Sequence, residues 1–354
     1  TIYGVCRPTK SAWFVKVTEL ARDLLHWFKH NGRKNLPWQS SPPNVYHIWL
    51  SEVMLQQTQV ITVIDYFDKF IKTFPDIPAL ANAKEDQVMS EWAGLGYYSR
   101  ARNLHKTAKI VVSQHNGIFP KKYDAIVALP GIGPSTAGAI LSLGSGVSAT
   151  ILDGNVKRTL ARYHKVEGHY SSSKVMKELW RLAKYHTPQT ENAEYTQAIM
   201  DIGATICTPK NPLCGRCPMT NHCGAYLAKE QDNFPHKKTK KLRAPEKTIA
   251  FLIYKNEKQE VFLKKRPSKG IWSGLWSFEE CEDNDEAIAV EIRRHNNSAK
   301  IVKPLAQVKH AFTHFTLWIN PILIHSPGGK INYYEKSVLS MGVPAPVKKI
   351  LQEL

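Results

Sequence analysis

The sequence of 354 residues contains no apolar run of the roughly 18 residues that a membrane-spanning helix requires. The longest candidates, Ala137–Leu143 and Ile199–Ile206, are short or interrupted. The N-terminal residues lack the apolar stretch of a signal peptide, so we expect a cytoplasmic protein with no membrane partner. Six cysteines in a reducing compartment then predict metal binding or catalysis before disulfides.

Acidic residues are scarce relative to basic ones: 30 Asp and Glu stand against 48 Lys and Arg, for a formal net charge of +18. This excess favours an anionic partner, with nucleic acid as the leading candidate, although net charge also serves solubility. Lys and Arg are densest in His236–Lys247, which has no apolar face and therefore predicts a solvated linker.

Apolar residues before this linker recur at helical spacing. Ser11–His30 and Val53–Ile71 each carry an apolar stripe, and short connectors with Pro or Gly separate such segments. Residues 1–235 therefore predict an all-α domain with short loops.

The pattern changes after residues 236–247, where short runs rich in Ile, Phe, Leu and Trp predict strands. Thr248–Tyr254 and Phe315–Ile324 are such runs, with a candidate helix at Asp285–His295 between them. Residues 248–354 therefore predict a smaller α+β domain, and the chain as a whole predicts a multi-domain fold that begins with the all-α domain.

Four of the six cysteines lie in one short loop, residues 207–223. The spacing is C-x6-C-x2-C-x5-C, formed by Cys207, Cys214, Cys217 and Cys223. Structural zinc sites usually combine two short Cys pairs, and only one pair is short here, so an iron–sulfur cluster suits the spacing better than zinc. The loop is also basic, which fits a projection onto a phosphate backbone.

The segment Leu129–Ile140, LPGIGPSTAGAI, combines two glycines with a helix of small residues. Gly131 and Gly133 permit a positive φ and a close backbone approach, and Pro134 suits the first turn of the following helix. Free amide groups at such a helix start form an anion site, here for a DNA phosphate, unless the segment is only a tight turn between helices.

Together with the string Leu50–Val60, LSEVMLQQTQV, the hairpin and the cysteine loop resemble the MutY family of adenine DNA glycosylases, in the helix-hairpin-helix, endonuclease III-like superfamily. The motifs are clear from Leu36–Gln39 to Cys223 and less strict beyond. The resemblance implies a monomer with a [4Fe-4S] cluster that acts in base excision repair, in the bacterial cytoplasm at the nucleoid. It implies hydrolysis of the N-glycosidic bond of adenine mispaired with 8-oxoguanine or G in double-stranded DNA, which leaves an abasic site.

Two carboxylates can carry this chemistry, because adenine leaves poorly as an anion and the sugar becomes cationic. Glu52 lies in an apolar sequence that should raise its pKa, which suits a general acid that protonates adenine N7. The alternative is a surface glutamate at the start of a helix. Asp153 precedes a helical run, which is typical of an N-cap, and the helix start helps to keep it ionised. The resemblance assigns Asp153 to the oxocarbenium ion, as stabiliser or covalent partner, and Asn155 as its orienting neighbour.

Ser135 departs from the superfamily members that also cleave the DNA strand. Those members carry Lys at the matching position, where its amine forms a Schiff base with the sugar. A hydroxyl group cannot form an imine, so we expect a monofunctional glycosylase without efficient β-elimination. Ser135 can instead hydrogen-bond near Asp153.

An enzyme that acts on a base in a duplex must take the base out of the stack, and another group must fill the gap. The resemblance assigns Tyr97, in the string Gly94–Arg100, as the wedge and Gln57 as a contact to the orphaned base. It places Trp38 and Gln197 at the flipped adenine.

The C-terminal domain resembles the Nudix-like domain of the same family through Lys269–Trp276 and Lys309–Phe315. It lacks the Arg-Glu and Glu-Glu set with which Nudix hydrolases hold Mg2+, so diphosphate hydrolysis is not expected. The resemblance instead assigns Phe312, Thr313 and His314 to the recognition of 8-oxoguanine.

Two other functions stay open at the level of sequence. An endonuclease III-like glycosylase and lyase for oxidised pyrimidines is opposed by Ser135 and by the C-terminal domain. A non-catalytic iron–sulfur protein that binds DNA or senses redox state would keep the hairpin and the cysteines, but it would not need Glu52 and Asp153 in these settings.

Overall fold

A computed structural model describes residues 17–237, 245–267, 269–312, 314–327, 333–335 and 341–354. These residues form two compact units. The first unit comprises residues 17–52, 121–128 and 132–237, and the second comprises residues 53–120, 129–131 and the described residues from 245 onward. Helical residues contribute to both units, and the domain boundary at residues 236–247 stays a prediction.

Helices with short connections dominate the described chain before residue 238. Their bounds are α1 (Glu19–Asn31), α2 (Val45–Met54), α3 (Val60–Thr73), α4 (Ile77–Asn82), α5 (Glu85–Glu91), α6 (Ser99–His115), α7 (Tyr123–Val127), α8 (Pro134–Ser145), α9 (Gly154–Tyr163), α10 (Ser173–His186), α11 (Asn192–Thr205) and α12 (Gly224–Leu227). Two turns of 3-10 helix, Cys214–Arg216 and Thr220–His222, lie in the cysteine loop. The chain thus begins with an all-α part, as predicted. None of the described helices has both the length and the apolar character that crossing a membrane demands.

The structure corrects two predicted helices. The first one, α1, is shorter than predicted because Thr18 is extended and its side-chain oxygen accepts a hydrogen bond from the N–H of Ala21, which caps the helix. The stripe at Val53–Ile71 is divided between α2 and α3, because Gln57 has a φ of 59°, outside the helical region. Residues 11–16 lie outside the described residues.

The core of the first unit lies between α1, α9, α10 and α11. Apolar side chains from one face of each helix are buried there, among them Leu20, Leu24, Val156, Leu160, Leu179, Leu182, Ile199 and Ile202. Helices α9 and α11 pack closely because Gly203 has no side chain; a Cβ at Gly203 would lie 2.4 Å from the Cβ of Asn155. This contact fixes the start of α9 against α11.

Helices α3 to α6 belong to the second unit. Phe67, Phe70 and Trp92 are fully buried in it, and the ring centroids of Phe70 and Trp92 lie 6.0 Å apart in an edge-to-face arrangement. Arg100, in the first turn of α6, is also buried. A buried arginine in an apolar core requires hydrogen-bond acceptors for its N–H groups.

The described residues from 245 onward form a sheet, a two-stranded ribbon and two helices. Their bounds are β1 (Glu246–Lys255), β2 (Val261–Phe262), β3 (Lys264–Lys265), β4 (Trp276–Ser277), β5 (Glu279–Glu282), α13 (Asp285–His295), β6 (Lys300–Pro304), β7 (Val308–Ala311), β8 (Thr316–His325), β9 (Tyr333–Tyr334) and α14 (Ala345–Glu353). The sheet order is β6-β8-β1-β2-β9, with β5 paired to β1 and β7 paired to β8, while β3 and β4 form the ribbon. Strands β1 and β8 run parallel. Ile288 and Ile292 of α13 pack on the sheet, which confirms the predicted α+β part.

Candidate active site

Glu52 lies near the end of α2 among buried residues. Leu50 and Met54 are fully buried and Val53 is nearly so; part of Glu52 is exposed, but its carboxyl group is buried. Burial, and second the negative charge of Asp153, raise the pKa of Glu52 to about 8. The carboxyl group therefore keeps its proton at neutral pH, which is the property that the apolar sequence predicts.

Asp153 is the N-cap of α9. Its backbone is extended, and its Oδ1 accepts from the N–H of Val156 at 2.7 Å. Burial raises the pKa of Asp153, while the hydrogen bond from Val156 and the charge of Arg158 lower it. The N-cap prediction is confirmed, but burial outweighs the helix start, so the carboxyl group is less acidic than the sequence analysis expects.

Ser135 and Asn155 both hydrogen-bond next to Asp153 along the chain. The Oγ of Ser135 accepts from the N–H of Leu152 at 3.0 Å, one residue before Asp153. The Oδ1 of Asn155 accepts from Nη2 of Arg158 at 2.8 Å. Ser135 thus holds the segment that carries Asp153, and Arg158 fixes the amide group of Asn155.

Two arginines of α9, which the sequence analysis does not single out, bind the start of the cysteine loop. Arg158 donates from Nε to the carbonyl oxygen of Cys207 and from Nη2 to that of Gly203, both at 2.7 Å. Arg162 donates from Nη1 to Sγ of Cys207 at 3.4 Å and to the carbonyl oxygen of Thr208 at 2.7 Å. Their spacing of four residues, which places both on one helix face, is the sequence signal that could have identified them.

The predicted cluster ligands line one cavity, whose walls include Cys207, Cys214, Cys217 and Cys223. Among the residues that the structure describes, no three His, Cys, Asp or Glu side chains form a group that could hold a single metal ion. Four thiols that line one cavity are the donor set with which proteins hold an iron–sulfur cluster. Burial, and to a lesser extent the neighbouring thiolates, raise the pKa of Cys217 to about 12, so this thiol requires a cationic group to ionise near neutral pH.

Trp38 and Gln197 are both buried in the first unit. Nε2 of Gln197 donates to Oδ1 of Asp201 at 2.8 Å. Asp201 is fully buried and also accepts from Arg33, through the backbone N–H at 2.8 Å, Nε at 2.8 Å and Nη2 at 2.7 Å. Because a carboxylate can only accept, Gln197 turns its NH2 group to Asp201 and its carbonyl oxygen away. The sequence analysis misses Asp201 and Arg33, since neither lies in a motif.

The glycine hairpin leads into α8, which begins at Pro134 as predicted. Gly131 has a φ of 77°, and a Cβ there would lie 2.7 Å from the Cβ of Asn103, so this position requires glycine. Gly133 is the N-cap with a φ of −89°, and within the described part of the chain no atom beyond its two neighbours in sequence lies within 4 Å of the place of its Cβ. Of the two glycines, only Gly131 uses the positive φ that glycine permits, while the open surroundings of Gly133 leave room for the close approach of a ligand.

Gln57 and Tyr97 lie in two loops of the second unit, between α2 and α3 and just before α6. Gln57 is exposed and the side chain of Tyr97 is 46% exposed. Both have a φ in the left-handed region, 59° and 49°. Both predicted DNA contacts are thus on the surface.

Phe312 and His314 lie at the turn between β7 and β8. The N–H of Phe312 donates to the carbonyl oxygen of Phe315 at 2.8 Å, and their rings stack with centroids 4.6 Å apart. The ring of Trp272 lies 5.4 Å from that of Phe312. Thr313 lies outside the described residues. The turn presents a partly buried aromatic ring beside the exposed His314.

Comparison with protein families finds three matching regions. Residues 50–185 match the HhH-GPD superfamily base excision DNA repair protein. Residues 207–223 match the iron-sulfur binding domain of endonuclease III, and residues 249–353 match the NUDIX domain. These regions contain the two carboxylates, the cysteine loop and the sheet, respectively.

Proteins named adenine DNA glycosylase are similar to the chain over most of its length. One from Buchnera aphidicola subsp. Baizongia pistaciae is 43% identical over 342 residues, which are 94% of this chain and 95% of that protein. One from Homo sapiens is 31% identical over 361 residues, which are 85% of this chain and 66% of that protein.

Solved structures resemble the helical part. A thermostable thymine-DNA glycosylase has a TM-score of 0.53 at 27% identity and covers 59% of this chain and 95% of its own. An endonuclease III in a non-covalent DNA complex has a TM-score of 0.51 at 20% identity, with 59% and 94% covered, and supports the fold alone.

Proposed function

The chain belongs to the adenine DNA glycosylase family, and on that premise we propose that it removes adenine mispaired with 8-oxoguanine or guanine in double-stranded DNA. It is a hydrolase of N-glycosyl bonds in base excision repair, and its cysteine loop binds a [4Fe-4S] cluster. The observation that carries the proposal is the pair of carboxyl groups: burial, and second the charge of Asp153, raise the pKa of Glu52 to about 8, while Oδ1 of Asp153 accepts a hydrogen bond from the N–H of Val156 at 2.7 Å.

Glu52 is the general acid of the proposed reaction. Adenine leaves poorly as an anion, and a proton on N7 neutralises it while the bond between N9 and the sugar breaks. A carboxyl group with a pKa of about 8 is protonated at neutral pH and can still give up its proton near that pH. Water then adds to the sugar carbon and completes the hydrolysis.

Asp153 faces the sugar in the same step. As the bond breaks, positive charge develops on the sugar, and a carboxylate stabilises it by its charge or captures it as an ester. The N–H of Val156 occupies Oδ1 of Asp153, so we assign Oδ2 to the sugar. Asn155, whose amide group is held by Arg158, orients this carboxylate.

Trp38 and Gln197 form the adenine pocket of the proposed site. The carbonyl oxygen of Gln197, turned away from Asp201, accepts a hydrogen bond from the amino group at C6 of adenine. Trp38 supplies an apolar face for the flipped ring. Asp201 binds the NH2 group of Gln197, and Arg33 binds Asp201, so both act through Gln197.

DNA contacts come from three other places in the chain. The hairpin around Gly131 and Gly133 holds a phosphate at the start of α8, where backbone N–H groups are free of helical partners. Tyr97 fills the gap that the flipped adenine leaves, and Gln57 contacts the orphaned base. Recognition of 8-oxoguanine belongs to the turn with Phe312, Thr313 and His314. Since one chain carries every part, we propose that it acts as a monomer.

The cluster supplies a rigid frame for its loop when it is bound. Its ligands are the four cysteines of residues 207–223. Lys210 and Arg216 lie within the same loop, and a fixed loop presents their charges to the DNA backbone. No step of the hydrolysis requires the cluster.

Strand cleavage is not part of the proposed activity. Ser135 occupies the position at which a lyase has its amine, and its hydroxyl group is engaged with the N–H of Leu152. A hydroxyl group forms no Schiff base, which disfavours the endonuclease III-like alternative. A protein that only binds DNA has no need for a protonated Glu52 beside Asp153.

One assay separates the three functions. Duplexes with A:8-oxoG, A:G or A:T, labelled on the adenine strand, are incubated with the protein, and half of each sample is then heated in alkali. Cleavage of A:8-oxoG and A:G only after alkali supports the proposal. Cleavage without alkali indicates a lyase, and binding without cleavage in either half indicates a non-catalytic protein.

A further inference from the structure

Arg100 is a buried cation that holds two loops of the second unit together. Its exposed fraction is 7%. Nη1 donates at 2.7 to 2.9 Å to the carbonyl oxygens of Val53, Met54 and Gln56. Nη2 donates at 3.1 to 3.3 Å to the carbonyl oxygens of Leu95 and Gly96 and to the hydroxyl group of Thr58. One guanidinium group therefore joins the loop after α2 to the loop before α6.

These loops carry the two exposed residues with left-handed backbones, Gln57 and Tyr97. Residues other than glycine rarely adopt a left-handed backbone conformation, which persists only where the surrounding structure holds it. Arg100 supplies contacts to both loops. It binds the carbonyl oxygen of Gln56, next to Gln57, and lies 5.6 Å from the ring centroid of Tyr97. It also lies 5.3 Å from the ring of the buried Trp92.

We propose that Arg100 is the positioning residue that fixes Gln57 and Tyr97 as one rigid probe for opening the adenine mispair. The inference rests on the proposed function, which gives these two side chains their places in the DNA stack. Because Arg100 is buried, it acts through the loops and not on the DNA. A probe whose geometry is set before binding loses less conformational entropy when it enters the stack.

Arginine suits this position and lysine does not. The two Nη groups of the planar guanidinium carry four N–H donors in a fixed fork and reach oxygen atoms of both loops, whereas a lysine ammonium group is a single point with three donors. The six acceptors are neutral oxygen atoms. Burial lowers the pKa of Arg100 to about 10, so the group is still charged at neutral pH and keeps all of its donors.

The test compares Arg100→Lys with the wild type in two measurements. Single-turnover excision from an A:8-oxoG duplex requires the probe to open a stacked pair. We expect the variant to be about 10- to 100-fold slower, the scale of misplacing a group by about 1 Å. The second measurement is binding to a duplex in which a tetrahydrofuran abasic-site analogue lies opposite 8-oxoG. In this duplex the gap is already open, so the dissociation constant of Arg100→Lys should exceed that of the wild type by no more than about threefold.

Arg181→Lys is the matched control, because Arg181 is exposed and forms its ion pair with Glu178, three residues earlier on the same helix. It should equal the wild type in both measurements. Wild-type excision by Arg100→Lys, or equal losses in excision and in binding to the open gap, would overturn the positioning role.

Amide hydrogen exchange on the wild-type protein without DNA keeps the proposal testable if Arg100→Lys does not fold. Slow exchange of the amides in residues 55–58 and 94–98 supports the proposal, because it means that the two loops are fixed before DNA binds. Fast exchange overturns the proposal. A wild-type protein that excises no adenine would refute the proposed function instead, and the exchange measurement would still decide whether these loops are rigid.

Discussion

Burial of Glu52, and second the negative charge of Asp153, raise the pKa of Glu52 to about 8, so the protonation of Glu52 depends on the charge of Asp153. Loss of the proton from Glu52 would place a second negative charge beside Asp153. The first charge of the pair belongs to Asp153, because hydrogen bonds from the start of α9 favour its ionised form. The proposed mechanism uses this pair as an acid, Glu52, and an anion, Asp153.

Replacement of Glu52 by Gln keeps the shape of the side chain and removes its proton. Single-turnover excision from A:8-oxoG should fall by at least about 100-fold, the usual contribution of general acid catalysis, while DNA affinity persists. Glu178→Gln, at an exposed glutamate of α10, is the control and should leave excision unchanged. Excision at the wild-type rate by Glu52→Gln would remove Glu52 from the mechanism.

Excision should fall at both ends of the pH range. Glu52 is protonated below pH about 8, so the rate should decline above that pH as the acid loses its proton. Asp153 must be ionised, and burial raises its pKa above 3.8, so the decline on the acid side should begin above that value. Single-turnover rates measured across the pH range at subsaturating protein test this. A rate that keeps rising above pH 8 would contradict the acid role.

Ser135→Lys should bring an amine to the position that a lyase uses. Borohydride trapping of the protein on A:8-oxoG duplex should rise above the wild-type yield, because an amine forms a reducible imine with the opened sugar. Ser135→Ala is the matched control, since it loses the same hydrogen bond to Leu152 and gains no amine. If the lysine variant binds and excises but traps no more than the alanine variant, the hairpin position is out of reach of the sugar.

Arg33→Met should destabilise the protein by about 3 kcal/mol or more, because it leaves the buried carboxylate of Asp201 without its cation. The double variant Arg33→Met, Asp201→Leu should recover most of that free energy of unfolding, as an apolar pair of similar volume replaces the ions. Its adenine excision should still fall by about tenfold, because Gln197 loses the partner that orients it. Denaturant unfolding and single-turnover excision give the two values. Full excision by the double variant would show that Gln197 needs no such partner.

Phe312→Ala combined with His314→Ala should weaken binding to A:8-oxoG by about 1–3 kcal/mol, the scale of one good base-specific contact. Excision from A:G should suffer less, since guanine lacks the 8-oxo group and the N7 proton. Binding and single-turnover rates on both duplexes measure the difference. Equal losses on the two would mean that the turn supports binding generally and does not distinguish the lesion.

The local sequence was sufficient to predict the surroundings of residues that depend on their neighbours along the chain. Glu52 is surrounded by apolar residues of its own helix, Asp153 caps the helix that it precedes, and the cysteines lie in one loop. Contacts between distant segments could not be read in this way. Arg33 and Asp201 are 168 residues apart and meet only because α11 packs beside α1.

Backbone geometry was harder still to predict. Both hairpin glycines fit a positive φ by residue type, yet Gly133 adopts an ordinary negative value as a helix N-cap. The apolar stripe of Val53–Ile71 has the right period for one helix, and its interruption at Gln57 depends on tertiary contacts. Arg100, whose side chain makes those contacts, carries no sign of burial in its own sequence.

Arg162 makes two further hydrogen bonds at the cysteine loop. Besides binding Cys207 and Thr208 at the start of the loop, its Nε donates at 2.9 Å to the carbonyl oxygens of Gln231 and Phe234, beyond the loop's end. One side chain of α9 therefore joins the chain before the loop to the chain after it. Because a single guanidinium group holds both, loss of Arg162 would release the two ends of the loop together.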